Sequence, residues 1–171
     1  MNIFLIGFMG SGKTYWGKLW AATNGLEFFD LDEMIEKEEE KSVSSIFEEN
    51  GEEYFRWKET GILKGFSEKK NFLLACGGGT PCFNDNMQWM LENGTTVCLS
   101  ATPQYLMEKL KGDDSRPLIN QLSGEELLSF IEQKLQDRAP FYSRAQIILP
   151  VDELNNDSLS AFNFQSLKND A

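Results

Sequence analysis

Residues 2 to 14 constrain the fold of this 171-residue chain more than any other stretch. Asn2 to Ile6 is a short apolar run bounded by Gly7, which reads as a buried strand. It enters Gly7-Phe8-Met9-Gly10-Ser11-Gly12-Lys13-Thr14, a match to G-x-x-x-x-G-K-[ST]. Lys13 to Thr23 then reads as a helix, with Asn24 and Gly25 as its stop. Glycines let the backbone turn tightly enough for its N–H groups to converge on phosphate oxygens, and the following helix adds its positive end. In such a loop Lys13 reaches the β- and γ-phosphates of a nucleoside triphosphate, and the Thr14 hydroxyl ligates Mg²⁺. Gly10, Ser11, Gly12, Lys13 and Thr14, with Tyr15 beside them, are the candidate ATP-binding residues.

The rest of the chain repeats the strand–helix alternation. Further strands are expected at Leu26 to Phe29, Phe72 to Cys76, Thr95 to Leu99 and Ala145 to Val151. Helices are expected at Leu31 to Lys41, Ser44 to Asn50 (stopped by Gly51), Glu52 to Lys69 and Asp85 to Glu92. Thr102-Pro103 opens another helix to Lys111, and a capping box at Ser123 and Glu126 opens one to about Arg138. The tail from Asn155 to Ala171 is polar and weakly helical. The fold class that follows is α/β, a five-stranded parallel sheet with helices on both faces. Ligands of such sheets bind beyond the carboxyl ends of the strands. That puts Gly7 to Thr14, Asp30 to Asp32, Gly77 to Gly79 and the region after Ser100 on one rim.

Composition removes several function classes. Sixteen basic and 27 acidic residues leave a formal charge of −11, with no histidine. Nucleic acid and anionic membranes both reward basic patches, so neither is an expected partner. Without imidazole there is no Ser-His triad, no His-ligated zinc and no histidine pH switch. Cys76, Cys82 and Cys98 form no C-x-x-C pair and read as free thiols of a reducing compartment. The start MNIFLIGFMG lacks a basic leading region, and no apolar stretch is long enough to span a bilayer. A cytoplasmic location is expected, and a monomer is the default. Glu27 to Glu59 carries 13 acids against four bases, with Glu38-Glu39-Glu40 expected on a solvated helix face.

Chemistry-bearing residues fall on the rim. Asp30 and Asp32 follow an apolar run, and continued strand alternation would turn both to one face. One could hold Mg²⁺ through water, while the other binds or deprotonates an acceptor hydroxyl; alternatively, Asp30 simply caps the next helix. Gly77-Gly78-Gly79 follows a strand and leaves room for close backbone approach to a ligand. There are only four arginines, Arg56, Arg116, Arg138 and Arg144. Arg116 sits in a polar loop with Gly112, Asp113 and Asp114, whose composition suits a lid over ATP.

Together GFMGSGKT, FFDLD, SIFEENGEEYFRWKE, CGGGTP, SRPL and RAPFY resemble the shikimate kinase family in order and spacing, from Ile3 to about Val151. The resemblance implies a P-loop kinase architecture with a lid and a substrate-binding helical segment. It also implies phosphorylation of the 3-hydroxyl of shikimate by MgATP, on the route to aromatic amino acids. By the same resemblance Arg56 and Arg138 clamp the shikimate carboxylate, and Asp32 holds its hydroxyls and acts as base. Gly77, Gly78 and Gly79 offer backbone contacts, Asp30 lies near the metal, and Arg116 is the lid arginine. The catalytic set is then Lys13, Asp32 and Arg116. The implied organisation is one domain over 1–171, with a core at 1–29, 71–108 and 124–151. A substrate-binding segment covers about 30–70, a lid about 109–123 and a tail 155–171. Departures are also visible. The family usually reads Ser-Thr after Gly-Lys, whereas this chain has Thr14-Tyr15, followed by the bulky Trp16. Lys109 stands where an adenine-side arginine is common, and Asp152 to Ser158 matches the adenine loop weakly. The rival readings are a related gluconokinase or nucleotide kinase, and a nucleotide-binding switch; the missing N-K-x-D motif counts against a GTPase.

Overall fold

Strand β1 (Asn2–Gly7) is buried on both faces, as its unbroken apolar run requires. A computed structural model describes residues 1–111, 119 and 121–158. Arg116, most of the expected lid and the tail from 159 onward lie outside the described residues. Around β1 the order is β2 (Glu27–Asp30), β3 (Phe72–Ala75), β1, β4 (Thr95–Ser100) and β5 (Ile147–Pro150). Every pairing is parallel, with Leu5 opposite Ala75 on one side and Val97 on the other.

The helices divide between the faces according to β1 alternation. Phe4 and Ile6 point into a cluster with Leu31 and Ile35 of α2 (Leu31–Glu39), Phe55 and Leu63 of α3 (Val43–Lys64), and Met87 and Met90 of α4 (Asn86–Asn93). Ile3 and Leu5 point the other way, onto Trp20 and Ala21 of α1 (Lys13–Asn24). A third cluster joins Phe8 to Leu106 and Leu110 of α5 (Pro103–Leu110) and to Leu127 and Ile131 of α6 (Gly124–Tyr142). Among the described residues no helix is long and apolar enough to cross a membrane. Cys76, Cys82 and Cys98 are free thiols, and burial pushes the Cys98 thiol up to about 12.

Several expectations need correction. Gly51 is non-helical (φ 81°, ψ 170°) and kinks α3, yet the helix resumes at once and ends at Lys64, short of the expected Lys69. Gly65 to Glu68 forms a 3₁₀ turn instead. Helix α6 continues past Arg138, through Pro140, to Tyr142. The Tyr142 hydroxyl donates to the Gly78 carbonyl at 2.6 Å, which anchors that last turn. The acidic run is also less solvated than expected. Glu39 accepts from Tyr54 Oη (3.0 Å) and pairs with Lys58 (2.8 Å), and that lysine holds its carboxyl below the usual range. Lys58 also pairs with Glu38, so one cation ties α2 to α3 across like charges.

Two glycines test this packing. A Cβ on Gly94 would lie 2.7 Å from the Asn2 carbonyl oxygen and 2.8 Å from the Phe4 ring, whereas one on Gly61, in the α3 interior, would meet nothing within 4 Å. Gly94→Ala should destabilise the fold by about 1–3 kcal/mol through overpacking. Gly61→Ala should stabilise it by about 0.5–1 kcal/mol through helix propensity. Thermal denaturation of both variants checks the pair. Equal melting temperatures would mean that the end of α4 does not press on β1.

Candidate active site

The rim above the sheet encloses a cavity of about 540 Å³, within the range of small-molecule sites. The phosphate loop forms one wall. Gly10 and Gly12 adopt positive φ (81° and 88°), and Gly12 caps α1, so the N–H groups of its first turn have no side-chain cap. Gly7 (φ 145°) has room for no side chain, because a Cβ there would lie 2.7 Å from the Leu99 carbonyl oxygen and 3.0 Å from Ser11 Oγ. Ser11 is fully buried, and its hydroxyl has no hydrogen-bond partner among the described residues. The Lys13 ammonium donates to the Gly7 and Phe8 carbonyls at 2.8 and 2.9 Å, lying across the loop.

The expected carboxylates reach the cavity by a different route from the one anticipated. The strand ends at Asp30, and Asp32 is the second residue of α2, so strand alternation does not set its direction. Asp30 caps the next helix, as one of its two readings had it, and it also reaches the phosphate loop. Its Oδ1 accepts from the Asp32 and Glu33 N–H groups, capping α2, while its Oδ2 accepts from Thr14 Oγ1 at 2.8 Å. Thr14 Oγ1 and Asp30 Oδ2 are hard oxygen donors, the chemistry that suits Mg²⁺. Among the described residues no three acidic or cysteine side chains gather into a metal cage. An ion here would therefore complete its shell with phosphate oxygens and water.

The opposite wall is built on the glycine turn after β3. Each glycine is backed by a different side chain. A Cβ on Gly77 would lie 3.0 Å from Asp32 Oδ1, one on Gly78 2.8 Å from Arg138 Nη1, and one on Gly79 2.5 Å from Arg56 Nη2. Gly77, Gly78, Gly79, Asp32, Arg56 and Arg138 all line the cavity, together with Lys13, Thr14, Tyr15, Asp30 and Lys109. Arg56 is held by Glu52 (3.3 Å) and Glu59 (2.9 Å) and covered by the Phe83 ring, 4.3 Å from its guanidinium carbon. Arg138 lies over the Phe8 ring at 5.0 Å, and its buried Nη1 makes no hydrogen bond to the described residues. Such an unmet charged donor at a cavity wall suits an anionic ligand group.

Two supports were not anticipated. Glu59 is fully buried and joins α3 to the glycine turn, with Oε2 accepting from Arg56 and Oε1 from Thr80 Oγ1 at 2.6 Å. Asn84 and Asn86 brace the same junction. Asn84 Nδ2 donates to the Arg56 carbonyl (3.3 Å) and Thr60 Oγ1 (3.0 Å), while Asn86 Nδ2 donates to Thr60 Oγ1 (3.1 Å) and the Thr80 carbonyl (3.0 Å). The only sequence hint was Glu59 one turn after Arg56.

Comparison with known proteins decides between the related kinases. The shikimate kinase family model matches residues 9–166. This chain belongs to the shikimate kinase family. It is 44% identical over 156 residues to the shikimate kinase of Phocaeicola vulgatus, covering 91% of this chain and 89% of that one. The crystal structure of shikimate kinase from Bacteroides thetaiotaomicron superposes with a TM-score of 0.87 at 40% identity, covering 99% and 97% of the two chains. The shikimate kinase of Acinetobacter baumannii in complex with shikimate gives a TM-score of 0.85 at 31% identity, covering 99% and 94%. In this shikimate kinase family member the sequence motifs on both walls therefore come together as the ordered set implied, apart from Arg116, which lies outside the described residues.

Glu59 should be essential to that assembly. Glu59→Ala removes the partner of a mostly buried guanidinium and should destabilise the protein by about 3 kcal/mol. Glu59→Gln, which keeps an acceptor, should cost less. Urea denaturation measures both, and wild-type midpoints for the pair would mean that Arg56 does not depend on the buried carboxylate.

Proposed function

We propose that the protein transfers the γ-phosphoryl group of ATP to the 3-hydroxyl of shikimate, giving shikimate 3-phosphate and ADP on the route to aromatic amino acids. The observation that carries this reading is the glycine turn, whose three residues are backed in order by Asp32, Arg138 and Arg56 across one cavity from the phosphate loop. A nucleotide switch has no use for a two-arginine wall. A pair of guanidinium forks suits an anionic acceptor group, and membership of the shikimate kinase family makes the shikimate carboxylate the group they would hold.

The residues divide the work as follows. Backbone N–H groups of Gly10 to Lys13 and the positive end of α1 receive the β- and γ-phosphates. Lys13 exchanges its two loop carbonyls for phosphate oxygens. Thr14 and Asp30 would hold Mg²⁺, Asp30 through water; the ion supplies charge neutralisation on the phosphate oxygens. Arg56 and Arg138 clamp the shikimate carboxylate, which orients the acceptor ring against Gly77 to Gly79. Asp32 then accepts the proton of the 3-hydroxyl as its oxygen bonds to the γ-phosphorus and the bond to the ADP oxygen breaks. Arg116, delivered by the 109–123 lid, stabilises charge on the transferring group. Positioning and charge neutralisation carry this chemistry, so a chain without histidine can perform it. The complete wall set within one chain supports a single-domain monomer, and free thiols with an ATP requirement support a cytoplasmic location.

A coupled ADP-release assay with shikimate and MgATP should report shikimate-dependent turnover. Folded protein with none would overturn the reading. Lys13→Ala should lower kcat by about 100- to 1,000-fold. Arg56→Ala should raise the shikimate KM by roughly 10- to 100-fold with a much smaller effect on the ATP KM. Gly79→Ala, which displaces the Arg56 guanidinium, should shift KM in the same direction. An unchanged shikimate KM in both variants would refute the clamp.

A further inference from the structure

Tyr15 stands in the first turn of α1, one residue after Thr14, and 68% of its surface is exposed. An exposed ring alone is ordinary. This one lines the cavity together with Gly10, Gly12, Thr14 and Lys109, and it is firmly seated. Its ring meets the Trp16 indole edge-on, with centroids 5.2 Å apart and an interplanar angle of 82°. Trp16 in turn stacks on Trp20 at 5.5 Å and 28°. Trp20 is fully buried, and its indole N–H donates to the Asn155 carbonyl at 3.3 Å, in the segment that follows β5. Trp16 also supports the phosphate loop itself, since a Cβ on Gly12 would lie 3.1 Å from Trp16 Cδ1. Three rings thus form a column from the core to the cavity wall, with Tyr15 outermost.

We infer that Tyr15, seated on Trp16, is the stacking surface for the nucleobase of the bound nucleotide. The inference rests on the reading of the loop as a nucleoside triphosphate site. In-line transfer sets the acceptor hydroxyl opposite the leaving oxygen, so the base lies on the far side of the phosphates from Asp32, Arg56 and Arg138. Tyr15 follows Thr14 in the cavity wall, and Lys109 lines the same cavity. A nucleobase presents a π-face whatever its identity, and stacking on an aromatic side chain is worth about 1–3 kcal/mol per base. A ring with two side-chain torsions, already fixed by an edge contact, loses little entropy on binding. The same surface takes any base, so recognition by it is by face and not by hydrogen-bonded edge.

The test compares ADP with inorganic tripolyphosphate, which lacks both base and ribose, each titrated calorimetrically with Mg²⁺ into the full chain. Wild type should bind both. Tyr15→Leu should weaken ADP about 10-fold or more while leaving tripolyphosphate within about twofold, and Tyr15→Phe should keep the wild-type ADP affinity. An unchanged ADP affinity in Tyr15→Leu would overturn the platform while leaving the phosphate site intact. Equal weakening of both ligands would assign Tyr15 to the phosphates instead. Loss of ADP affinity in Tyr15→Phe would assign the effect to the phenol hydroxyl, also against stacking. Wild type that binds neither ligand would defeat the phosphate-loop reading itself, together with the inference built on it.

Discussion

A parallel sheet covered on both faces can carry chemistry only where its strands end. Along β1 every side chain from Ile3 to Ile6 is buried in one cluster or another, so polar function is excluded from the strand itself. At Gly7 the apolar sequence stops, and the chain must turn over the neighbouring strand, whose Leu99 carbonyl leaves no room for a Cβ. The same crowding recurs at the end of β3, where Gly77 to Gly79 pass beneath three charged side chains. Both glycine segments are thus consequences of packing, and both become ligand surfaces because packing has stripped them to backbone.

Charge is arranged against the overall balance. The chain is strongly acidic, and most of the excess lies between Glu27 and Glu59, the stretch that also supplies Asp30, Asp32 and Arg56. The structure prevents these acids from repelling anionic ligands by occupying them. Asp30 is occupied by Thr14 and two N–H groups, Glu59 by Arg56 and Thr80, and Glu39 by Lys58 and Tyr54. Arg138, in contrast, keeps a buried donor without a partner among the described residues. The electrostatic character of the cavity therefore depends on which charges are already paired, and net charge predicts it poorly.

How far the sequence revealed this varies from residue to residue in a consistent way. All five strands and the phosphate loop were legible because glycines and caps punctuate them locally, as Gly25 ends α1 and Ser123 opens α6. Arg56, Arg138 and the glycine turn were legible through the family pattern. Tertiary contact hid the rest. Glu59 reads like an ordinary i,i+3 surface partner of Arg56, and only the approach of Thr80 makes it a buried bridge. Asn84 and Asp85 carry φ of 49° and 57°, a local bend that no apolar period announces, yet it aims Asn84 at the Arg56 carbonyl. Asp32 was assigned to the right rim on a wrong premise, because strand alternation was carried past Asp30 into α2, which begins at Leu31.

The hidden contacts have one feature in common: they join α3 to the glycine turn. Glu59, Thr60, Asn84 and Asn86 link these two elements through the side chains and carbonyls flanking Arg56 and Thr80. A guanidinium on a long flexible stem gains selectivity only when its direction is fixed before the ligand arrives. Arg56 achieves this with two carboxylates, an aromatic cover and a carbonyl tied to the segment after the glycine turn. Tyr15 follows the same logic at the other end of the cavity, with rings in place of carboxylates. In both cases the residue that meets the ligand was conspicuous in the sequence, while the residues that aim it became visible only once the chain was folded.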